Sequence, residues 1–213
     1  APGSTVHHTP DILDALLYIA HQNVLPPGPL CELPLPASGL GYLSYEFAKH
    51  CDNIRFYEQK DELNIPESLF ITGHIYIIFD HFTEELHIFG LNYNEHQIDL
   101  GAAMERILKR INDMDFSYVE EDNQSFKYKV LTDMEASKAE YIQKVTALKK
   151  HIVAGDLIQA VPSRRVQIEC EAEALAVYGK LRKVNPSPYL FYIDFGDFQF
   201  TGASPESLVR VRK

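Results

Sequence analysis

The histidines are the residues of this chain that could most readily bind a metal ion. The chain has nine of them, and His74, His81 and His87 lie near one another in predicted strands. Their spacing does not force them to converge on one point, so surface or core positions are favoured over a metal site. The sequence also contains no G-x-S-x-G, H-E-x-x-H or P-loop pattern, and it therefore shows none of the common hydrolase, zinc-protease or nucleotide-binding motifs.

The cysteines and the hydrophobic pattern indicate the compartment. Cys31, Cys51 and Cys170 are odd in number and lack C-x-x-C spacing, which predicts a reducing environment and no disulfide framework. The N-terminus has no basic segment followed by an apolar run. The longest apolar stretch, 69–82, is interrupted by polar residues and is too short to cross a bilayer. We therefore expect a cytoplasmic protein with no membrane partner.

The charge balance argues against polyanionic partners. The 213 residues include 30 acidic and 20 basic side chains, and the formal net charge is -10. A nucleic-acid backbone or an anionic lipid surface is bound by a basic face. Nucleic acid is therefore not an expected partner, and the hydrophobic fraction of 46% is that of an ordinary globular chain.

Hydrophobic periodicity predicts helices and strands without regular alternation. Helices are predicted to start at Thr9–Pro10, at about 95, at the Ser-x-x-Glu capping box of 137–140 and at Ala174. The helix that begins at the capping box is predicted to end at Gly155. Strands are predicted over 39–47, 69–80, 85–91, 157–169, 189–195 and 198–202, and the segment 112–124 is interpreted as a solvated connection. The short gaps at 81–84 and 196–197 indicate hairpins, so the expected fold is α+β with antiparallel pairing.

Four short motifs occur in a fixed order along the chain. They are Gly-Tyr-Leu-Ser-Tyr-Glu at 41–46, Gly-Asp-Leu-Ile-Gln-Ala-Val-Pro-Ser-Arg-Arg at 155–165, Asn-Pro-Ser-Pro-Tyr at 185–189 and Gly-Ala-Ser-Pro-Glu-Ser-Leu at 202–208. Their order and spacing resemble component I of anthranilate synthase and of aminodeoxychorismate synthase, which are chorismate-utilising enzymes. The last three motifs together are highly specific, although each alone would be weak.

The resemblance implies an antiparallel β-sandwich with flanking helices, of which this chain holds an incomplete part. Residues 1–135 would be the N-terminal part of component I, and residues 136–213 would begin the chorismate-binding region. Family proteins are much longer, so we interpret the chain as an internal piece that is inactive alone. A partial sandwich exposes strand edges and apolar surface, which favours a complementary chain or self-association.

The resemblance also implies a reaction. Chorismate binds through Mg²⁺ on its ring carboxylate, ammonia from a glutamine amidotransferase subunit attacks the ring, and the 4-hydroxyl leaves. In anthranilate synthase pyruvate is then eliminated and the ring becomes aromatic. No residue here matches the family's Mg²⁺ ligands, so the metal site is expected outside this chain.

Glu206 matches the family's proposed general acid. Hydroxide is a poor leaving group, so a proton must be supplied as the C–O bond breaks, and a carboxylic acid kept protonated by burial can supply it. A capping or ion-paired glutamate after Pro205 is the alternative interpretation of this residue taken by itself.

Gln159 occupies the position at which the related isochorismate and salicylate synthases have a lysine that activates water. Water needs a base, whereas ammonia already has a usable lone pair, and a neutral amide can orient a nucleophile without deprotonating it. Gln159 therefore favours the ammonia-using branch. Taken by itself, it is equally a polar residue on a strand.

The Asn-Pro-Ser-Pro-Tyr motif resembles part of the tryptophan feedback site of anthranilate synthases. Pro186 and Pro188 fix the backbone after Asn185, and Tyr189 offers an aromatic face to an indole. The next family residue is usually Met and is Leu190 here. A proline-rigidified turn before a core strand is the alternative interpretation.

Two further functions stay open on the sequence. The chain could come from an aminodeoxychorismate synthase, whose product retains pyruvate. It could also be a non-catalytic module that senses L-tryptophan or docks the amidotransferase.

Overall fold

The structure is a computed structural model that describes residues 12–23, 39–57, 62–113 and 125–210. The chain divides into two units, 1–118 and 119–213. The first unit contains α1 (Ile12–Gln22), β1 (Leu40–Leu43), a 3₁₀ turn (Tyr45–Phe47), α2 (Ala48–Cys51), β2 (Ser68–Ile71), β3 (Ile75–Asp80), β4 (Glu85–Gly90) and α3 (Leu100–Asn112). The second contains β5 (Tyr128–Val130), α4 (Met134–Ala154), β6 (Ile168–Cys170), α5 (Ala174–Val184), β7 (Tyr189–Asp194) and β8 (Gln199–Ser204).

The described strands pair two by two, as β1–β2, β3–β4, β5–β6 and β7–β8, and every pair is antiparallel. The predicted α+β class with antiparallel pairing is therefore confirmed. Both predicted hairpins form, with β3 joined to β4 and β7 joined to β8. The domain boundary at 135–136 stays a prediction.

The first unit has a small core. In its β3–β4 turn the Asp80 carboxylate accepts hydrogen bonds from the backbone N–H groups of Phe82 and Thr83. Helix α3 packs against both strands. Gly90 permits this close packing, because a Cβ there would lie 3.1 Å from the side chain of Leu100. The buried side chains of the described residues all lie in this unit: Phe47, Leu91, Tyr93 and Ala103.

A polar junction after β4 links α1 to the β3–β4 hairpin. Asn23 at the end of α1 donates a hydrogen bond to the Asn92 carbonyl, and Gln22 accepts one from the Asn94 N–H. The Tyr93 hydroxyl donates to the Gly73 carbonyl. Burial raises the pKa of Tyr93, so this hydroxyl stays protonated and keeps its donor role.

The second unit is built around the β7–β8 hairpin, against which α5 packs. The ring of Phe191 lies directly over Gly202, where a Cβ would overlap it. Glycine at this position is therefore required by the close approach of the ring. No side chain among the described residues 125–210 is buried, so this unit forms hairpins and helices without enclosing a core.

Helix α4 begins earlier than predicted. Its N-cap is Asp133, whose carboxylate accepts hydrogen bonds from the backbone N–H groups of Glu135 and Ala136. The capping box at 137–140 therefore lies inside the helix and does not start it, because the aspartate captures the free N–H groups one turn earlier. The predicted end at Gly155 is confirmed, and this glycine has a φ of 85°.

Three predicted strands are corrected by the structure. The strand over 39–47 ends at Leu43, after which the chain turns into the 3₁₀ turn and α2, and the run over 69–80 is interrupted at residues 72–74. The long strand over 157–169 was wrong, since only Ile168–Cys170 pairs, with β5. In that segment the apolar alternation is present but the described residues offer no partner strand.

Some sequence predictions fall outside the described residues. They are the N-cap at Thr9–Pro10 and most of the connection at 112–124, and Cys31 also lies outside the described residues. Cys51 and Cys170 are described, and both are free thiols. No helix within the described parts of the chain is long and apolar enough to span a membrane.

Candidate functional site

The open end of the β7–β8 hairpin brings two of the predicted motifs together. Tyr189, at the start of β7, is paired with Ser204, at the end of β8, and Leu190 is paired with Ala203. The inhibitor motif therefore enters the hairpin at the point where the Ser-Pro-Glu motif leaves it. Tyr189 is 43% exposed and Leu190 is half-buried, so the tyrosine ring is available for contact.

The turn that leads into β7 is held by its own polar groups. Asn185 caps the end of α5, and its backbone N–H donates to the Leu181 carbonyl at 2.8 Å. Ser187 donates two hydrogen bonds back to Asn185, from its N–H to the carbonyl and from its hydroxyl to the side-chain oxygen. Pro186 and Pro188 fix φ on either side of that serine. The resulting turn is stiff, and both prolines are exposed.

Glu206 lies in a second local turn. The Ser204 hydroxyl donates to the Glu206 carbonyl at 3.0 Å, and the Glu206 N–H lies 3.4 Å from the same hydroxyl oxygen. The Glu206 side chain is exposed, and its carboxylate makes no ion pair with any described residue. The burial that a protonated general acid requires is thus not supplied by the described residues.

Gln159 lies on the segment that follows α4. At one end of that segment the Asp156 carboxylate lies 2.9 Å from His151 Nδ1. At the other end Arg164 donates from Nε to the Ser137 hydroxyl at 2.9 Å and from Nη2 to the Met134 carbonyl at 3.1 Å. Gln159 is exposed between these anchors.

Gln159 and Glu206 are not joined by a hydrogen bond in the structure, although both belong to the second unit. The structure therefore unites the Glu206 and Tyr189 motifs at one hairpin end and leaves Gln159 on a separate segment. Their predicted chemical roles stay predictions.

The motif at 41–46 lies in the first unit. Gly41 pairs with Phe70 across β1–β2 at a separation that leaves no room for a Cβ. The Tyr42 hydroxyl donates to the Pro66 carbonyl, and burial raises the pKa of this tyrosine. The Ser44 hydroxyl oxygen is buried, and no described residue hydrogen-bonds to it.

No group of three or more histidine, cysteine, aspartate or glutamate side chains among the described residues could hold a metal ion. His74, His81 and His87 do not gather into such a group. The described residues therefore do not fit a Mg²⁺ site, and no reaction step is derived through a metal from them.

Sequence reasoning missed two polar contacts. One is the Arg164 anchor to α4, which no motif signalled. The other is a histidine pair in the first unit, where His74 Nε2 lies 2.7 Å from His96 Nδ1 while His74 Nδ1 donates to the Leu91 carbonyl. The contacting residues are far apart in sequence, so no local sequence pattern predicts either contact.

Comparison with known proteins assigns the motifs to a family. Residues 9–213 match the family described as chorismate binding enzyme. The chain belongs to that family. Anthranilate synthase component 1 of Spirochaeta aurantia is 43% identical over 203 residues, which are 95% of this chain and 42% of the relative. The same-named protein of Saccharomyces cerevisiae is 35% identical over 182 residues, which are 83% of this chain and 36% of the relative.

A solved structure agrees with these relatives. The crystal structure of anthranilate synthase component I from Streptococcus pneumoniae TIGR4 superposes with a TM-score of 0.71 and 25% identity, covering 98% of this chain and 46% of that one. This member of the chorismate binding enzyme family thus spans less than half the length of the relatives it matches. The resemblance predicted from the four motifs is confirmed.

Proposed function

We propose that this chain is part of component I of an anthranilate synthase, which converts chorismate and ammonia to anthranilate, pyruvate and water. The observation that carries the proposal is the 43% identity to the Spirochaeta aurantia protein of that name over 95% of the chain. The motif at 185–189, which resembles a tryptophan site, supports anthranilate over aminodeoxychorismate as the product.

In this proposal Glu206 donates the proton that lets the ring 4-hydroxyl leave as water. A carboxylic acid stays protonated near neutral pH where water is excluded, because desolvation disfavours its charged form. Glu206 is exposed among the described residues. The active arrangement therefore requires covering groups from the part of the relatives that this chain does not span.

Gln159 would orient the nucleophile. Its amide oxygen can accept a hydrogen bond from ammonia, while its neutral amide cannot remove a proton from water. The nucleophile then attacks the ring with the lone pair of ammonia and forms the C–N bond as the C–O bond breaks. A residue of this kind works by positioning, so its contribution depends on how firmly its segment is held.

The partners follow from the same proposal. Chorismate is the substrate, a glutamine amidotransferase subunit supplies ammonia, and Mg²⁺ binds through ligands outside this chain. L-Tryptophan would bind as an inhibitor near Tyr189 and Leu190. Cytoplasm is the proposed setting, and the free thiols of Cys51 and Cys170 agree with a reducing compartment.

The test uses a full-length protein in which these 213 residues are joined to the remaining part of the Spirochaeta aurantia relative. We expect chorismate, ammonia and Mg²⁺ to give anthranilate and pyruvate, measured by anthranilate fluorescence and a pyruvate assay. Glu206→Gln should lower kcat by about 10²–10⁴-fold, the usual contribution of a general acid. Glu173→Gln removes an exposed carboxylate at the start of α5 and is the matched control.

Three results would contradict the proposal. Aminodeoxychorismate that retains pyruvate would assign the chain to the other synthase. Turnover by the 213-residue chain alone would show that no further residues are needed. An unchanged kcat in the Glu206→Gln enzyme would exclude Glu206 as the general acid.

A further inference from the structure

Two histidines of the first unit face each other through their imidazole rings. His74 lies at the entry to β3, and His96 lies in the loop after β4. His74 Nε2 is 2.7 Å from His96 Nδ1, and the ring centroids are 4.9 Å apart. His74 is half-buried, whereas His96 is exposed and therefore accessible to protons from solvent. The chemistry proposed for Glu206 and Gln159 makes no use of this pair.

The second ring nitrogen of His74 limits the number of protons that the pair can hold. His74 Nδ1 lies 2.8 Å from the Leu91 carbonyl oxygen, which can only accept, so Nδ1 carries a proton. When His74 is neutral, its Nε2 accepts and His96 Nδ1 donates. When His74 is charged, its Nε2 donates and His96 must be neutral, with no proton on Nδ1. The contact is therefore compatible with at most one positive charge.

His74 also fixes the path of the chain out of β4. The Leu91 N–H donates to the His74 carbonyl at 2.7 Å, while His74 Nδ1 donates to the Leu91 carbonyl. Both backbone groups of Leu91 are thus bound by one residue, and the Leu91 side chain is buried. The His74 ring contacts the ring of Tyr93, which is also buried. Displacing the His74 ring would therefore disturb the small core of the first unit.

The loop that carries His96 connects the pair to α1. Tyr93 and His96 exchange two backbone hydrogen bonds, each from the N–H of one to the carbonyl of the other at 3.2 Å. These bonds hold His96 in a closed loop. Within that loop the Asn94 N–H donates to the side-chain oxygen of Gln22, at the end of α1. A change in the position of His96 is therefore transmitted to α1.

The titratable groups around the pair keep their charge where histidine changes its own. Glu95 lies beside His96, and a hydrogen bond from Tyr18 of α1 lowers the pKa of this carboxylate. Burial raises the pKa of Tyr93, and β3 contributes Tyr76, whose hydroxyl lies 3.1 Å from that of Tyr93. Helix α3, which packs against β3 and β4, makes no ion pair with either histidine among the described residues.

We propose that His74 and His96 form a proton-sensitive clamp, which is closed while the two rings hold at most one positive charge and opens when both are charged. The open pair binds more protons than the closed pair, so a falling pH favours opening. Histidine side chains change charge between about pH 5 and 8, and we expect opening toward the acid end of that range. Opening releases the loop from His74 and loosens its contact with α1. The clamp lies within the first unit and is independent of the activity proposed above.

The experiment follows amide hydrogen exchange in the full-length protein, with each rate corrected for the intrinsic effect of pH. Between about pH 7.5 and about pH 5, we expect the protection of the Leu91, Asn94 and His96 amides to fall by about ten-fold or more. In parallel, the ring-nitrogen NMR signals of His74 and His96 report the protonation of each imidazole. The second charged ring should appear together with the loss of protection.

His96→Asn distinguishes the clamp from a contact that only packs. The asparagine NH₂ group can donate to a neutral His74, and its oxygen can accept from a charged one. The contact should therefore persist at both pH values, and the protection of Leu91 should lose its pH dependence. His81→Asn is the matched control, because it removes an exposed histidine of the β3–β4 turn that forms no ion pair with any described residue. It should keep the pH dependence of the unmodified protein.

Three results would overturn the proposed clamp. One is a protein in which both rings are charged while Leu91 stays protected. Another is equal protection of the unmodified protein at the two pH values. The third is a His96→Asn variant that loses protection on acidification as the unmodified protein does, which would assign the effect to other groups. The first two results need no variant, so they decide the matter even if His96→Asn fails to fold.

Discussion

Tyr189 and Ser204 face each other across the open end of the β7–β8 hairpin. This pairing places the proline-fixed turn before Tyr189 beside the short turn that carries Glu206. A ligand that contacts the first turn can therefore alter the second through one pair of hydrogen-bonded strands. The structure thus relates a predicted inhibitor motif to a predicted catalytic motif by direct strand pairing.

Replacing Tyr189 should weaken tryptophan binding. The exposed ring can contribute about 1 kcal/mol of stacking to an indole, so Tyr189→Ala should weaken tryptophan affinity by roughly five-fold or more in calorimetry of the full-length protein. Tyr128→Ala is the matched control, since Tyr128 is also an exposed strand tyrosine of the second unit. Unchanged affinity in Tyr189→Ala would assign the motif to turn formation only.

Adding a methyl group at Gly202 should destabilise the hairpin. A Cβ there would overlap the Phe191 ring, and overpacking of this kind costs about 1–3 kcal/mol. In the full-length protein, Gly202→Ala should therefore lower the urea midpoint and expose the amide hydrogens of β7 and β8 to exchange. Gly179→Ala is the control, because nothing lies within 4 Å of the added Cβ and alanine favours the helix by about 0.5–1 kcal/mol. Equal effects of both changes would contradict the packing argument.

The Arg164 anchor should control the order of the segment that carries Gln159. Arg164→Met removes both hydrogen bonds to the start of α4, each worth about 0.5–1.5 kcal/mol at most in an exposed position. We expect faster hydrogen exchange over 157–166 and, in the full-length enzyme, a raised KM for ammonia. Lys144→Met removes an exposed ion pair to Glu140 on the same helix and should leave both measurements unchanged.

Glu67 should give the first unit an acid-sensitive stability. Hydrogen bonds from Lys49 and His50 lower the pKa of Glu67 below its ordinary value of 4.5. A lowered folded pKa means that the stabilisation is complete above the unfolded pKa and is lost as the pH falls through the folded value. Glu67→Gln should therefore flatten the fall in melting temperature below about pH 4.5.

The control for that experiment is Glu105→Gln, which removes one exposed carboxylate from α3 without breaking any ion pair of the described residues. It should keep the acid dependence of the unmodified chain. If the Glu67→Gln variant also keeps the acid dependence of the melting temperature, the contacts to Lys49 and His50 contribute nothing measurable to stability.

Local sequence signals predicted most of the elements. Helix α5, the end of α4 at Gly155 and both hairpins follow from residues close in sequence, whose preferences act within one or two turns. The strand predicted over 157–169 failed because strand formation needs a partner edge, and a pattern of side chains cannot show whether one is present. The capping box at 137–140 failed because Asp133 caps the helix one turn earlier, by accepting from the N–H groups of Glu135 and Ala136.

The site was predictable only in part. The motifs predicted Tyr189, Leu190 and Glu206 as site residues. The hairpin that brings them together was predicted from alternating apolar residues on either side of a Gly-Asp turn. The Arg164 anchor and the exposure of Glu206 depend on tertiary contacts, which no local pattern encodes.

The absence of buried side chains in residues 125–210 has a calorimetric consequence. Heat absorbed on melting comes from packing that is lost together, and the accompanying heat-capacity increase comes from apolar surface newly exposed to water. The second unit already exposes much of that surface. Heating the isolated chain should therefore give one shallow transition from the first unit, with an enthalpy per residue well below the roughly 0.7 kcal/mol typical of a globular domain.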